Sequence, residues 1–179
     1  MADTVMEPWR DTLSWAQMTT KPITMRFLAD GHARRLVADR LQLEAVIDLM
    51  AEAKIRPWTD GAEVDLAVEA TVTRTCGITL ELYDESVSET LTFRVVPPGA
   101  ESDIASDGGD ITFTLNDDDP PDIIAGGAVD LAAYVVEVLS LGLAPFPRKP
   151  GVTFHAPDSG ASVSPFAALA TLRKGAKSD

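Results

Sequence analysis

The pattern of this chain predicts an α+β fold: an antiparallel, mostly meandering β-sheet covered on its apolar face by a helix from the C-terminal half, with a short N-terminal-half helix and a tail helix. Three observations carry that reading. Leu41 to Ile55 and Val64 to Val72 alternate apolar and polar residues on either side of a Pro/Gly turn. Val87 to Val96 repeats the alternation. The apolar stretch Val129 to Leu143 changes period, recurring at three- and four-residue steps as one face of a helix does. With 179 residues, the chain is long enough to bury about 70% of its unfolded surface without a disulfide or metal.

The elements follow in order. Ile23, Met25, Phe27 and Ala29 alternate with more polar neighbours, which predicts a strand. Asp30-Gly31 then opens a short helix whose apolar face carries Ala33, Leu36 and Val37, with Arg40 near its end. From Leu41 the period becomes two: Leu41, Leu43, Ala45, Ile47, Leu49, Ala51, Ala53 and Ile55 face one way, against Glu44, Asp48, Glu52, Lys54 and Arg56. A helix over Leu43 to Lys54 stays open, because Leu, Ala, Glu and Met favour one. Pro57 to Gly61 is the turn, in which glycine supplies positive φ. The next strand points Val64, Leu66, Val68, Ala70 and Val72 inward, and Val87, Leu91, Phe93 and Val95 do the same on the one after it. Ile111, Phe113 and Leu115 mark a further short strand between two polar loops. Asp130 is the expected N-cap of the main helix. Pro145, Pro147 and Pro150 end it. Ser164-Pro165 opens a last helix with Phe166, Leu169, Ala170 and Leu172 on one face and Arg173, Lys174 and Lys177 at its negative end. The expected organisation is an N-terminal segment over 1–21, a single α+β domain over 22–147, a linker over 148–163 and a docking helix with its tail over 164–179.

Charge narrows the function. The formal net charge is −13 and it is uneven: −6 over residues 1–94, −10 over 95–147 and +3 over 148–179. Nucleic-acid binding needs clustered Lys and Arg to displace counterions from phosphates, and an acidic middle repels RNA. The first ten residues have no apolar core of a secretory signal. The longest apolar run, Ala125 to Phe146, contains Asp130 and Glu137, so no membrane span is expected. A single cysteine suits a reducing compartment, and the expected location is the cytoplasm.

Three stretches stand out together. They are Ala70 to Glu81 around Thr75-Cys76-Gly77-Ile78-Thr79-Leu80, then Gly127 to Leu131 with Glu137 leading into Pro145-Phe146-Pro147-Arg148-Lys149-Pro150-Gly151, and finally Ser164 to Arg173. In this order, and across Arg26 to Arg173, the chain resembles the YceD family of large ribosomal RNA subunit accumulation proteins, in its alphaproteobacterial form. The resemblance implies a non-enzymatic role in the accumulation of large-subunit ribosomal RNA. In many members of that family, the position of Cys76 begins a C-x-x-C with the spacing of a metal site. Here Thr79 stands in the second place, and only His32 and His155 could assist, so no metal or other cofactor is expected. Thr79 is expected to replace the clamp by hydrogen bonding within the turn.

Other constellations read as ordinary surface. Asp117-Asp118-Asp119 lacks the glycine and later glutamate of a calcium loop. Ser106 to Gly109 has no phosphate-binding lysine. Cys76 has no histidine at a spacing that would make it a nucleophile. No acid–base pair or cofactor loop stands out, so no catalytic residue and no small-molecule substrate are expected. The expected partner-binding residues are Arg148, Lys149, Phe166, Leu169, Leu172, Arg173 and Lys174: apolar anchors with a basic rim, docking on ribosomal or ribosome-assembly proteins. The sequence leaves open whether the tail helix docks on its own domain or on such a partner. The alternative is direct RNA binding through the Arg34-Arg35 helix and the basic tail.

Overall fold

The computed structural model describes residues 11–100 and 120–154. Among them the fold is α+β, with a mostly antiparallel five-stranded sheet, a two-stranded ribbon and three helices. The chain runs β1 (Thr12–Ser14), α1 (Trp15–Thr20), β2 (Ile23–Leu28), α2 (Gly31–Leu41), β3 (Ala45–Trp58), β4 (Gly61–Thr75), β5 (Leu82–Val96), β6 (Asp122–Ile123), β7 (Ala128–Asp130) and α3 (Leu131–Gly142). The large sheet has the order β2-β3-β4-β5-β6, a meander up to β5. Its last strand, β6, runs parallel to β5, with Val95 beside Asp122 and Val96 beside Ile123. β1 and β7 pair antiparallel apart from it.

Alternation builds the core. Leu49, Ala51, Ala53 and Ile55 of β3, Val64, Leu66, Val68, Ala70 and Val72 of β4, and Val87 and Val95 of β5 are buried. Helix α3 packs on β4 and β5, α2 on β3, and α1 on β3 and β4. Leu131, Val135, Val138 and Leu139 are the buried residues of α3 in that core. Asp130 caps α3, its carboxylate accepting from Ala132 N–H at 3.1 Å. Asp30 caps α2 through His32 and Ala33 N–H at 2.9 and 2.8 Å. These two bonds, that to Ala33 first, hold the Asp30 carboxyl below its usual range.

Several boundaries differ from the sequence reading. Leu41 ends α2 and does not begin a strand, because Gln42 turns left-handed (φ 53°) and directs its N–H at the Ala38 and Asp39 carbonyls. Leu43 lies outside both elements. The Leu43 to Lys54 region is strand from Ala45 onward, which removes the helix alternative. A bulge between Val46 and Asp48 breaks the alternation, so Val46 is buried while Ile47 is 45% exposed. The hairpin after β3 is tighter than a five-residue turn. Trp58 pairs with Gly61, leaving Thr59-Asp60 as the loop. Thr59, not glycine, takes positive φ (47°). Gly61 is required for a different reason: a Cβ there would lie 2.0 Å from the Val95 carbonyl oxygen. Pro57 is tolerated in β3 because β2 pairs only as far as Ile55, so Pro57 has a neighbour on one side alone.

β5 begins at Leu82, five residues before the sequence signal. α3 begins at Leu131, since Val129 and Asp130 belong to β7. Residues 12–20 form β1 and α1, and their Leu13 and Met18 enter the main core. The predicted strand at Ile111 to Leu115 and the tail helix at Ser164 lie outside the described residues.

Candidate interaction site: the Cys76 turn and its strap

β4 ends at Thr75 and β5 starts at Leu82, and the turn between them is closed by its own backbone. Cys76 N–H donates to Glu81 O at 2.9 Å, and Leu80 N–H to Cys76 O at 2.9 Å. Leu80 takes a positive φ of 58° to complete the turn. The Cys76 sulfur points inward and is fully buried. It accepts from Ile78 N–H at 3.5 Å, and the Thr79 hydroxyl donates to it. The Thr79 oxygen in turn accepts from Glu81 N–H at 3.4 Å. Thr79 thus stands at the sulfur, where the sequence placed it.

The chain after α3 folds back over this turn as a strap. Pro147 O accepts from Gly77 N–H at 2.8 Å. Lys149 N–H donates to the Cys76 sulfur at 3.4 Å. The Lys149 ammonium pairs with Glu81 at 3.0 Å. Arg74 ties the root of the strap, its guanidinium donating to Ala144 O at 2.7 Å while pairing with Glu85 at 2.8 Å. Hydrogen bonds favour the thiolate, and they pull the Cys76 thiol down to about 6, the Thr79 hydroxyl contributing most and the Lys149 N–H next.

This donor set does not fit a metal. The sulfur is satisfied by the N–H groups of Ile78, Thr79 and Lys149 and by the Thr79 hydroxyl, and Thr79 stands where a second thiolate would be. Among the described residues, no group of three or more His, Cys, Asp or Glu side chains converges.

The strap and the turn leave large apolar side chains in water at one end of the sheet. Phe146 is 79% exposed, Leu80 76% and Leu82 59%. Arg148 is exposed beside them. The structure thus separates the predicted pair: Arg148 faces solvent, whereas Lys149 spends its backbone on the sulfur and its ammonium on Glu81. Phe166, Leu169, Leu172, Arg173 and Lys174 lie outside the described residues. Sequence reasoning missed Leu80 and Phe146. The signal was present for Phe146, which stands between Pro145 and Pro147, whereas Leu80 follows Thr79 with no such mark.

The basic groups are mostly committed elsewhere. Arg26 pairs with Glu52, Arg56 with Glu63 and Asp65, and Arg94 with Glu63. Arg34, expected on a basic helix face, donates to the Ile47 carbonyl at 2.6 Å, at the bulge. No helix among the described residues is long and apolar enough to cross a membrane. Compared with known proteins, the chain matches no family model, no curated protein and no solved structure.

Proposed function

We propose that this protein is a non-enzymatic, cytoplasmic accessory factor that supports large-subunit ribosomal RNA accumulation through contacts with ribosomal or ribosome-assembly proteins. The residues that resemble the YceD family supply the process. One structural observation supports the protein-mediated route: Leu80, Leu82 and Phe146 are held in solvent on a turn and strap fastened by backbone hydrogen bonds, with Arg148 alongside. Large apolar side chains held exposed on a hydrogen-bonded frame are a recurring feature of protein interfaces. In this reading Arg148 is a rim contact, Lys149 holds the frame, and Arg173 of the tail adds a further basic contact.

Direct RNA binding is the weaker reading, because the guanidinium groups on the sheet are already paired with carboxylates and the net charge is −13. The test is the ratio of large- to small-subunit ribosomal RNA in cells lacking the gene. That ratio should fall and be restored by the wild type. Leu80→Ser with Phe146→Ser, and a truncation after Gly151, should restore it poorly. An unchanged ratio in the deletion strain would end the assignment. Partners that survive nuclease treatment during purification favour the protein route, and partners lost with the RNA favour the alternative.

A further inference from the structure

Helices cover one face of the large sheet; the other carries an open groove of about 530 Å³ across β2, β3 and β4. Its floor is apolar. Leu28, 75% exposed, pairs across the sheet with Met50, 42% exposed, and Ala67 stands next to them on β4. Its rim is acidic, with Glu69 opposite Met50 and Glu52 opposite Ala67. Glu52 already meets Arg26 at 2.7 Å and Lys54 at 3.5 Å, whereas Glu69 has no hydrogen-bond or ion-pair partner among the described residues.

We infer that this groove is the docking site of the chain's own C-terminal segment, residues 164–174, with Phe166, Leu169 and Leu172 on the Leu28–Met50–Ala67 floor and Lys174 paired with Glu69. Complementarity is the first argument. The groove is apolar with an acidic rim, and the segment has apolar residues at helical spacing followed by Arg173 and Lys174. Reach is the second. The strap sits beside Gly77, and Glu69 is about 26 Å back along the chain at about 3.3 Å per residue. The nine residues 155–163 span up to about 30 Å when extended. Tethering is the third. A segment of some ten residues is too short to hold a helix alone in water. A short covalent link gives it an effective concentration on the order of millimolar, so even weak docking is populated. A free partner helix would need its own affinity to compete with that.

The experiment uses the full-length chain with 13C-labelled methionine methyls. Met50 reports the groove, and the fully buried Met18 reports the core. The expected result is a set of cross-peaks between the Met50 methyl and the Phe166 ring. Leu169→Asp should abolish them and shift Met50 while Met18 stays in place. Glu69→Lys should weaken them, and adding Lys174→Glu should restore them. A Met50 resonance that Leu169→Asp leaves unmoved overturns the inference. So does a shift that depends on protein concentration, which would make a second copy the occupant. Cross-peaks from Phe166 to Leu80 in place of Met50 would also overturn it. None of these outcomes depends on the ribosomal assignment, which the ratio of ribosomal RNAs decides separately.

Discussion

The sheet interior and the Cys76 corner are built by opposite means. Between β3, β4 and β5, order comes from area: long strands whose register is interrupted once, at the Val46–Asp48 bulge, alternate side chains buried, and little that is polar to satisfy. At the corner, order comes from direction. Three backbone or guanidinium contacts and one ammonium–carboxylate pair hold the strap to the turn, while its largest side chains stay wet. Burial tolerates small shifts, because it is proportional to area and has no preferred angle. Hydrogen bonds do not tolerate them. The lesson is that the domain can hold apolar residues in water without collapsing them, since the corner is fixed by groups other than those it displays.

The contrast can be broken in order of expected effect. Leu49 is fully buried, and Leu49→Ala should cost about 2–5 kcal/mol in urea unfolding. Gly61→Ala should cost about 3 kcal/mol, at the upper end for overpacking, because the atom met is the backbone carbonyl of Val95 and not a side chain that can swing away. Arg74→Ala removes the tie to Ala144 and leaves Glu85 without its cation. About 2 kcal/mol is expected, with increased amide exchange in residues 144–149 while β3 amides stay protected. If β3 loosens equally, the two regions are not separable.

A subtler effect comes with pH. The Cys76 thiol is pulled from an ordinary value of 9.0 to about 6 in the folded chain. The unfolded chain therefore binds more protons between these values, and stability should rise with pH from about 6 to 9. The gain is complete above the unfolded value and is lost as pH falls through the folded one. Cys76→Ser should flatten this slope in a series of urea titrations. The acid side should be unaffected by that change, because it belongs to groups such as Glu63, held low by Arg56 first and Arg94 second. The smallest effect is expected at the surface: Leu80→Ser and Phe146→Ser should alter stability by no more than about 0.5 kcal/mol. A larger loss would mean that the exposed residues serve the fold.

Legibility in the sequence follows the same division. The central strands were readable because one face is wet and the other dry, so the period of two appears in residue types from Leu49 to Ile55 and from Val64 to Val72. Asp130 and Asp30 were readable because capping is local. The bulge at Ile47 was not, since an extra residue changes which side chain points inward without changing the composition. β1 and α1 are too short to show a period, and Leu82 to Ser86 is too polar to look like a strand. The strap was hidden for another reason. Its bonds join Lys149 to Cys76 and Pro147 to Gly77, mostly through backbone atoms, which every residue carries and no pattern marks.

The parallel pairing of β6 has a consequence of its own. The chain leaves the sheet at Val96 and returns with Asp122 beside Val95, and Ile124 N–H reaches back to Val96 O at 3.0 Å. Departure and return are therefore neighbours, about 5 Å apart across one strand spacing. A connection whose two ends nearly touch closes at an entropic cost that grows only logarithmically with length, roughly 0.6 kcal/mol for each doubling. A change in the length of the connection between Val96 and Asp122 should therefore leave the pairing of β5 with β6 undisturbed.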